Sequence, residues 1–453
     1  MRSASTTARD LVDTENGEIS REIFVSEAIY QEEKERIFTR AWLYVGHESQ
    51  IPNPGDYFVS KMGEESVILT RDTAGKIHVF LNSCAHRGMK VCRYDQGNTR
   101  AFRCPYHAWT YKTDGTLIAV QDYENAYQPP FDKSNWGLIE VAQLANYLGT
   151  IWATWDKNAP SFADYLGDAK FALDHGLCAW DGGDGGTELL GSVQKWKVPC
   201  NWKFIAENFA GDWLHGVSHR SVDMVRLGPS GDVGRRDDFG QLIVTAYPGG
   251  HGILYSVYAN KETRTEYAMS PVTSEYFQQC WQRRLKNKGA LAGTSPLVGT
   301  IFPNMSFHGQ QPRTLLISHP KGANETEMWR TYFVDKAAPE EVKQYLREYY
   351  MRYSGPAGMT EQDDMENWNY AHAASRGTIA RRHPYNYDQG SGTAVADYEY
   401  QGLGVPGDVI DLTEAQSSEQ PMRNFYRRWA EFMEADDWSQ LATWRHAERR
   451  AAE

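Results

Sequence analysis

The chain has 453 residues, more than the roughly 250–300 at which one hydrophobic core stops growing, so two domains are expected. With 47 basic against 59 acidic residues its net charge is −12, which argues against a nucleic-acid partner or a polybasic membrane-surface protein. Aromatic side chains form 13% of the chain, enough to fill large cores, and no stretch approaches the ~20 apolar residues of a membrane helix.

The opening MRSASTTARDLVDTENGE has neither an apolar core nor a twin arginine, so no export signal is expected and the cytoplasm is the expected location. Residues 26–42, SEAIYQEEKERIFTRAW, place Ile29, Ile37, Phe38, Ala41 and Trp42 at broadly helical spacing behind a Ser26 cap. From Ile51 to Trp155 the texture changes to short β-rich runs, DYFVSKM, SVILTRD, KIHVFLN and YLGTIWATW, broken by Gly, Pro, Asp and Asn turns. A small antiparallel β domain is predicted over 44–155, with 1–43 and 156–453 forming a second domain.

Two loops of the β domain hold Cys84, His86, Cys104 and His107, spaced C-x-H-x17-C-x-x-H. Each hook mixes one thiolate with one imidazole, which suits a Rieske [2Fe–2S] cluster: one iron takes both cysteines, the other both histidines. Neutral imidazoles lower the negative charge at the site, so its potential lies above that of an all-cysteine cluster. A structural zinc site also uses two Cys and two His, but its hooks more often pair like ligands. The flanking CAHRGMKVC and CPYHAW resemble Rieske loops, with Ala108 standing where those proteins usually carry Gly. The other cysteines, Cys92, Cys178, Cys200 and Cys280, follow no disulfide or C-x-x-C pattern, as expected in a reducing compartment.

Beyond Asp156 the pattern is mixed. DGGDGGT (181–187) and residues 385–404 read as loops. Residues 201–219, NWKFIAENFAGDWLHGVSH, read as a helix with His215 and His219 four apart on one face and Asp212 close to it. Both imidazoles could then reach a single metal. QLIVTAY, TLLISHP and EMWRTYFVD are strand-like and lie between helices, so an antiparallel sheet flanked by helices is predicted, α+β overall. Ala338-Pro339-Glu340-Glu341 opens a helix with Pro in its first turn and Val342, Tyr345, Leu346 and Tyr349 on one face. TEQDDMENW (360–368) then clusters carboxylates, with Asp363 and Asp364 adjacent, and Phe425, Trp429, Phe432 and Met433 mark a C-terminal amphipathic helix.

Two histidines and one carboxylate are the facial set of non-haem Fe(II) oxygenases, which leaves positions open for O2 and substrate. Alone, a histidine pair at this spacing arises by chance, and an acidic run is usually a solvated helix start. Beside a cluster that accepts electrons, a second metal gives those electrons a destination.

The whole chain resembles the catalytic α subunit of aromatic-ring-hydroxylating Rieske dioxygenases, through LVDTENG, IFTRAWLYVGHESQIPNPGDY, NWKFIAENFAGD, GPAGMTEQDDMENW and YRRWAEFM. The resemblance implies a Rieske β domain plus a helix-flanked antiparallel sheet domain. It implies mononuclear Fe(II) on His215, His219 and Asp364, with Asn208 near the iron but not a firm ligand. It makes Asp212 the carboxylate that hydrogen-bonds a ligand histidine and reaches the Rieske histidine, His107, of a neighbouring subunit. A trimeric α ring follows, with or without small β subunits (α3β3 or α3), served by a ferredoxin and a reductase that draw on NADH.

The implied reaction adds O2 to one face of an arene to give a cis-dihydrodiol. Phe209, Trp213, Val298 and Phe307 are candidate pocket walls, and Ser354 and Thr360 stand where naphthalene-type enzymes place bulky aromatics, suggesting room for a polycyclic or substituted arene. Three residues separate His215 and His219 where many relatives have four or five, so the pocket residues at Gly216–Ser218 are open. Competing readings are a salicylate-type Rieske hydroxylase, in which Arg352 could answer a substrate carboxylate, a non-enzymatic Rieske electron carrier, and a zinc-stabilised binding protein.

Overall fold

The computed structural model describes residues 7–229, 241–258, 266–395, 404–412 and 417–441. The predicted loop over 385–404 therefore lies partly outside the described residues, as does the start of the opening segment. The chain divides into two compact units, Phe38–Ala159 and Met1–Ile37 with Pro160–Glu453.

The Phe38–Ala159 unit is antiparallel β throughout. One sheet orders Ile77–Leu81, Glu65–Arg71, Asp56–Met62 and Gln96–Asn98. A second orders Leu117–Ala119, Thr110–Lys112 and Ala101–Arg103, and a third Gln143–Tyr147, Thr150–Thr154 and Leu43–His47. Along Asp56–Met62 the alternate residues Phe58, Ser60 and Met62 are buried, the period of a strand with one face on the core. Ile68, Phe80, Phe102, Trp109 and Tyr111 pack in one cluster with Cys84 and Cys104, so the two hooks are anchored in the core at their cysteine ends.

The larger unit is built on a nine-stranded antiparallel sheet. Its order is Thr187–Leu189, Thr326–Asp335, Thr314–Pro320, Met305–His308, Thr294–Ile301, Gly252–Val257, Gln241–Ala246 and Asp408–Asp411. Gln194–Val198 shares the long strand Thr326–Asp335 with Thr187–Leu189, one pairing along each half. Helices pack around this sheet, so the predicted α+β architecture is the one observed. No helix among the described residues is long and apolar enough to cross a membrane.

The predicted first helix runs Glu27–Glu33, with Ser26 Oγ accepting from Ile29 N at 3.4 Å, and continues into a wider π turn at Lys34–Phe38. The helix opened by the acidic pair runs Glu340–Tyr353, and Pro339 is its cap residue, one position earlier than predicted. The C-terminal helix Gln420–Glu434 buries Phe425, Trp429, Phe432 and Met433. Trp429 Nε1 donates to Glu33 Oε1 at 2.8 Å, Trp202 Nε1 to Glu33 Oε2 at 2.9 Å, and the buried Lys203 pairs with the same carboxylate. Three donors on one buried carboxylate fix the elements that carry them in one register.

Candidate active site

The two cysteine–histidine loops share one backbone pattern. Cys84 N donates to Met89 O at 2.9 Å and Gly88 N to Cys84 O at 2.9 Å. Cys104 N donates to Trp109 O at 2.8 Å and Ala108 N to Cys104 O at 3.1 Å. Gly88 and Ala108 occupy the same place in the two turns, with φ of 70° and 58°. The pattern calls for a left-handed residue at each place, which explains the glycine usual at Ala108: alanine tolerates it at a cost of about 1 kcal/mol.

The loops bring the rings of His86 and His107 to 4.6 Å between centroids, and His86 stacks on Trp109. The buried Tyr111 hydroxyl lies 3.2 Å from Cys84 Sγ and accepts from Ala85 N, so it can donate to a thiolate there. Burial, then the His107 and Arg87 charges, lower the pKa of His86, favouring the neutral imidazole that ligates a metal. Its Nδ1 is buried without a hydrogen-bond partner. Two thiols and two imidazoles in matched turns fit a [2Fe–2S] cluster.

The second constellation is in the larger unit. The helix predicted through 201–219 stops early: it runs Trp202–Asn208, and a separate 3-10 helix, Leu214–His219, follows. Gly211 sits at φ 125° between them, where a Cβ would stand 2.6 Å from Val244 Cγ2, so the glycine in the sequence is the break. His215 and His219 therefore do not share an α-helical face, yet their rings lie 5.0 Å apart.

The helix Met359–Ser375 faces them. Glu361, Asp364, Trp368 and His372 form its buried stripe at spacings of three and four. Asp364 Oδ1 lies 3.5 Å from His215 Nε2 and 3.2 Å from His219 Nε2, and makes no hydrogen bond. Roughly 3 Å is the spacing expected between neighbouring ligands on an octahedral ion with bonds of about 2.1 Å. The donor set and its spacing thus fit a divalent iron, and ligand atoms of His215, His219 and Asp364 all fall within 4.8 Å of one another.

Each imidazole also meets a different aspartate at its other nitrogen. His215 Nδ1 is 3.3 Å from Asp212 Oδ2, whose Oδ1 accepts from Leu214 N at 2.8 Å. His219 Nδ1 is 3.3 Å from Asp363 Oδ2, which Ser221 Oγ fixes at 2.8 Å. Asn208 Nδ2 approaches His215 Nε2 at 3.5 Å, close to the centre but at the limit of contact. Adjacent to Asn208, Glu207 accepts from the hydroxyls of Tyr387 and Tyr426, and burial pushes its pKa up to about 8.

A cavity of about 100 Å³ opens on this centre. Phe209, Trp213, Leu254, Leu297 and Val298 line it, as do Ser354 and Thr360. Phe307 does not; it packs against Gly176 and Gly299, because neighbours on a strand point to opposite faces, and His308 lines the cavity instead. Of the open segment 216–218, Gly216 lines the cavity, Val217 is exposed, and Ser218 Oγ takes a bond from Asn367. Arg352 is exposed on its helix, with Nε on Glu348 O, so it does not reach the cavity.

Sequence reasoning missed the polar wall. Arg330 lines the cavity, ion-paired to Glu361 and donating to Thr314 Oγ1 at 3.0 Å. Burial and the Arg330 charge bring the pKa of His308 down to about 3, keeping it neutral. The one signal available was the charge interrupting EMWRTYFVD, a run that otherwise reads as core strand.

Comparison with known proteins follows the same division. Residues 162–435 match the catalytic domain of the ring hydroxylating alpha subunit, and residues 41–132 match the Rieske [2Fe-2S] domain. The chain is 38% identical to the biphenyl 2,3-dioxygenase subunit alpha of Rhodococcus jostii (strain RHA1), over 97% of this chain and 94% of that one. It is 36% identical to the benzene 1,2-dioxygenase subunit alpha of Pseudomonas putida, over 95% and 94%. The crystal structure of naphthalene 1,2-dioxygenase from Rhodococcus sp. bound to indole superposes with a TM-score of 0.78 at 33% identity, covering 93% of this chain and 95% of that chain. The chain thus belongs to the aromatic-ring-hydroxylating dioxygenase α subunits, oxidoreductases that use a Rieske [2Fe–2S] cluster and a mononuclear iron.

Proposed function

We propose that this α subunit adds both atoms of O2 to one face of a polycyclic or substituted arene, giving a cis-dihydrodiol. The observation that carries the reading is the convergence of His215, His219 and Asp364 in the lining of a cavity with an aromatic and aliphatic wall. Two electrons from a nicotinamide and two protons complete the balance: the ring gains two C–O bonds and loses one of its double bonds.

Members of this family are oxygenase components that work with a ferredoxin and a reductase and form α/β assemblies. For this chain an α3β3 or α3 arrangement is the proposal. Six free cysteines, four of them outside the hooks, suit a reducing cytoplasm.

In this reading Cys84, His86, Cys104 and His107 hold the cluster, and His215, His219 and Asp364 hold the iron. When bound, the cluster supplies single electrons and the iron supplies O2 activation beside the ring. Asp363 orients the His219 imidazole by a hydrogen bond at Nδ1, and the Asp212 carboxylate faces Nδ1 of His215 at ion-pair distance. Asp212 further links to His107 of the partner subunit. Asn208 stands beside the centre without occupying a ligand position. Phe209, Trp213 and Val298 hold the ring flat and keep water from it, and Ser354 and Thr360 leave room for a second and third ring.

Supplying ferredoxin, reductase, NADH and an arene series tests the proposal. The expected product is a cis-dihydrodiol, formed faster from two- and three-ring arenes than from single-ring hydrocarbons. A phenol as sole product would move the chain to the hydroxylase branch, and faster turnover of single rings would remove the size argument. Arg352, the residue that could answer a salicylate-type carboxylate, is exposed away from the cavity.

A further inference from the structure

One wall of the cavity is suited to more than hydrocarbon. Gln311 lines it and is only 8% exposed. Its Oε1 accepts from the hydroxyls of Tyr267, at 2.8 Å, and Tyr350. With the amide oxygen fixed on two phenols, the amide NH2 is left to the cavity. Ser354 lines the same space, is 3% exposed, and its Oγ has no hydrogen-bond partner. Glu361 Oε1 and Arg330 Nε, both on buried cavity-lining side chains, are also without partners. A plain hydrocarbon in contact with this wall leaves every one of these groups unmet.

We propose that the substrate ring bears a neutral oxygen substituent, a hydroxyl or a carbonyl, held by Gln311 Nε2 and Ser354 Oγ. This rests on the ring-dihydroxylation reading and names the substituent that orients the ring within it. The apolar walls take the ring itself, and the polar wall fixes which edge faces His215 and His219. An anionic substituent fits poorly. It would meet the carboxylates of Glu266 and Glu361 in the same lining, and the Arg330 charge is already offset by its ion pair with Glu361.

A site built to hydrogen-bond a substituent rejects the analogue lacking it far better than an apolar pocket rejects an extra methylene. The test is equilibrium binding to the metal-loaded oxidised oxygenase without reductant, so no turnover intervenes. The probes are biphenyl, 3-hydroxybiphenyl, 3-acetylbiphenyl and biphenyl-3-carboxylate. The hydroxyl and acetyl forms are expected to bind about 10-fold tighter than biphenyl, and the carboxylate more weakly than either.

Gln311→Glu keeps an oxygen for the two tyrosines and removes the NH2 donor; it should collapse the acetyl-to-biphenyl ratio, as should Ser354→Ala. Equal affinity for biphenyl and its oxygenated forms in the wild-type protein overturns the proposal, whatever the variants do. So do tightest binding of the carboxylate and failure of every probe to bind. The dihydroxylation reading fails separately: with reductase, ferredoxin and NADH added, it falls if no bound probe yields a dihydrodiol, even where the affinity ratio holds.

Discussion

His219 Nδ1 lies 3.3 Å from Asp363 Oδ2, while its Nε2 lies 3.2 Å from Oδ1 of the next residue, Asp364. Two adjacent aspartates thus meet one imidazole from opposite ends. Asp364 is on the buried stripe of its helix and aims at both histidines. Asp363, one residue earlier, holds the ring from behind and is itself pinned by Ser221.

The division of labour has a direct consequence. Asp364→Ala should abolish mononuclear iron binding while the cluster's visible absorption persists. Asp363→Asn should keep the iron but weaken its binding by about 10- to 100-fold, the usual cost of losing a partner behind a ligand histidine. Iron and acid-labile sulfide analysis after chelator dialysis separates the two. Equal iron loss in both variants would show that the pair does not split in this way.

Asp212 has a different assignment. Asn at this position retains an oxygen for Leu214 N, so the local turn should survive. Asp212→Asn is expected to keep both metals yet slow electron transfer from reduced cluster to the iron by about 100-fold. Single-turnover stopped-flow of the cluster's absorption measures it. A normal rate would reduce Asp212 to an ordinary surface-turn carboxylate.

Much of this centre was legible in the chain itself. The cysteine–histidine hooks, the pair His215 and His219, and the adjacent aspartates stand out because metal chemistry demands those residue types at those spacings. The secondary structure beneath them was harder. A four-residue histidine spacing suggests an α-helix, but Gly211 ends that helix and the pair is presented by a 3-10 turn. The polar cavity wall was less visible still. Arg330 and Glu361 are far apart in sequence, and only the sheet–helix packing joins them. Phe307 and His308 show the same limit from the other side: which of two neighbours on the strand Met305–His308 looks into the cavity was not readable.

Ala108 gives a prediction on stability. Its twin in the other loop is Gly88, and both have positive φ. Ala108→Gly should stabilise the Rieske unit by about 0.5–1 kcal/mol, the relief of left-handed strain less the added freedom of the unfolded chain. The cluster should bleach at a higher temperature in the variant. A lower bleaching temperature would mean that the Ala108 methyl group contributes packing that outweighs its strain.

Glu207 sets a pH dependence. Burial raises its pKa from 4.5 to about 8, so the folded protein prefers the protonated carboxyl. The associated stability is fully present below pH 4.5 and is lost as pH rises through about 8, because the unfolded chain releases that proton first. Glu207→Gln should therefore flatten the fall in urea midpoint between about pH 5 and about 9. An unchanged slope in the variant would place the titration elsewhere.

The central claim is that O2 ends on the ring as a pair. The most direct measurement is mass spectrometry of the product formed under 18O2, with ferredoxin, reductase, NADH and any β subunit supplied. Incorporation of both labelled atoms into one cis-dihydrodiol is the predicted result. A product with one labelled oxygen and one from water would contradict dioxygenation and make this chain a monooxygenase built on the same two metal sites.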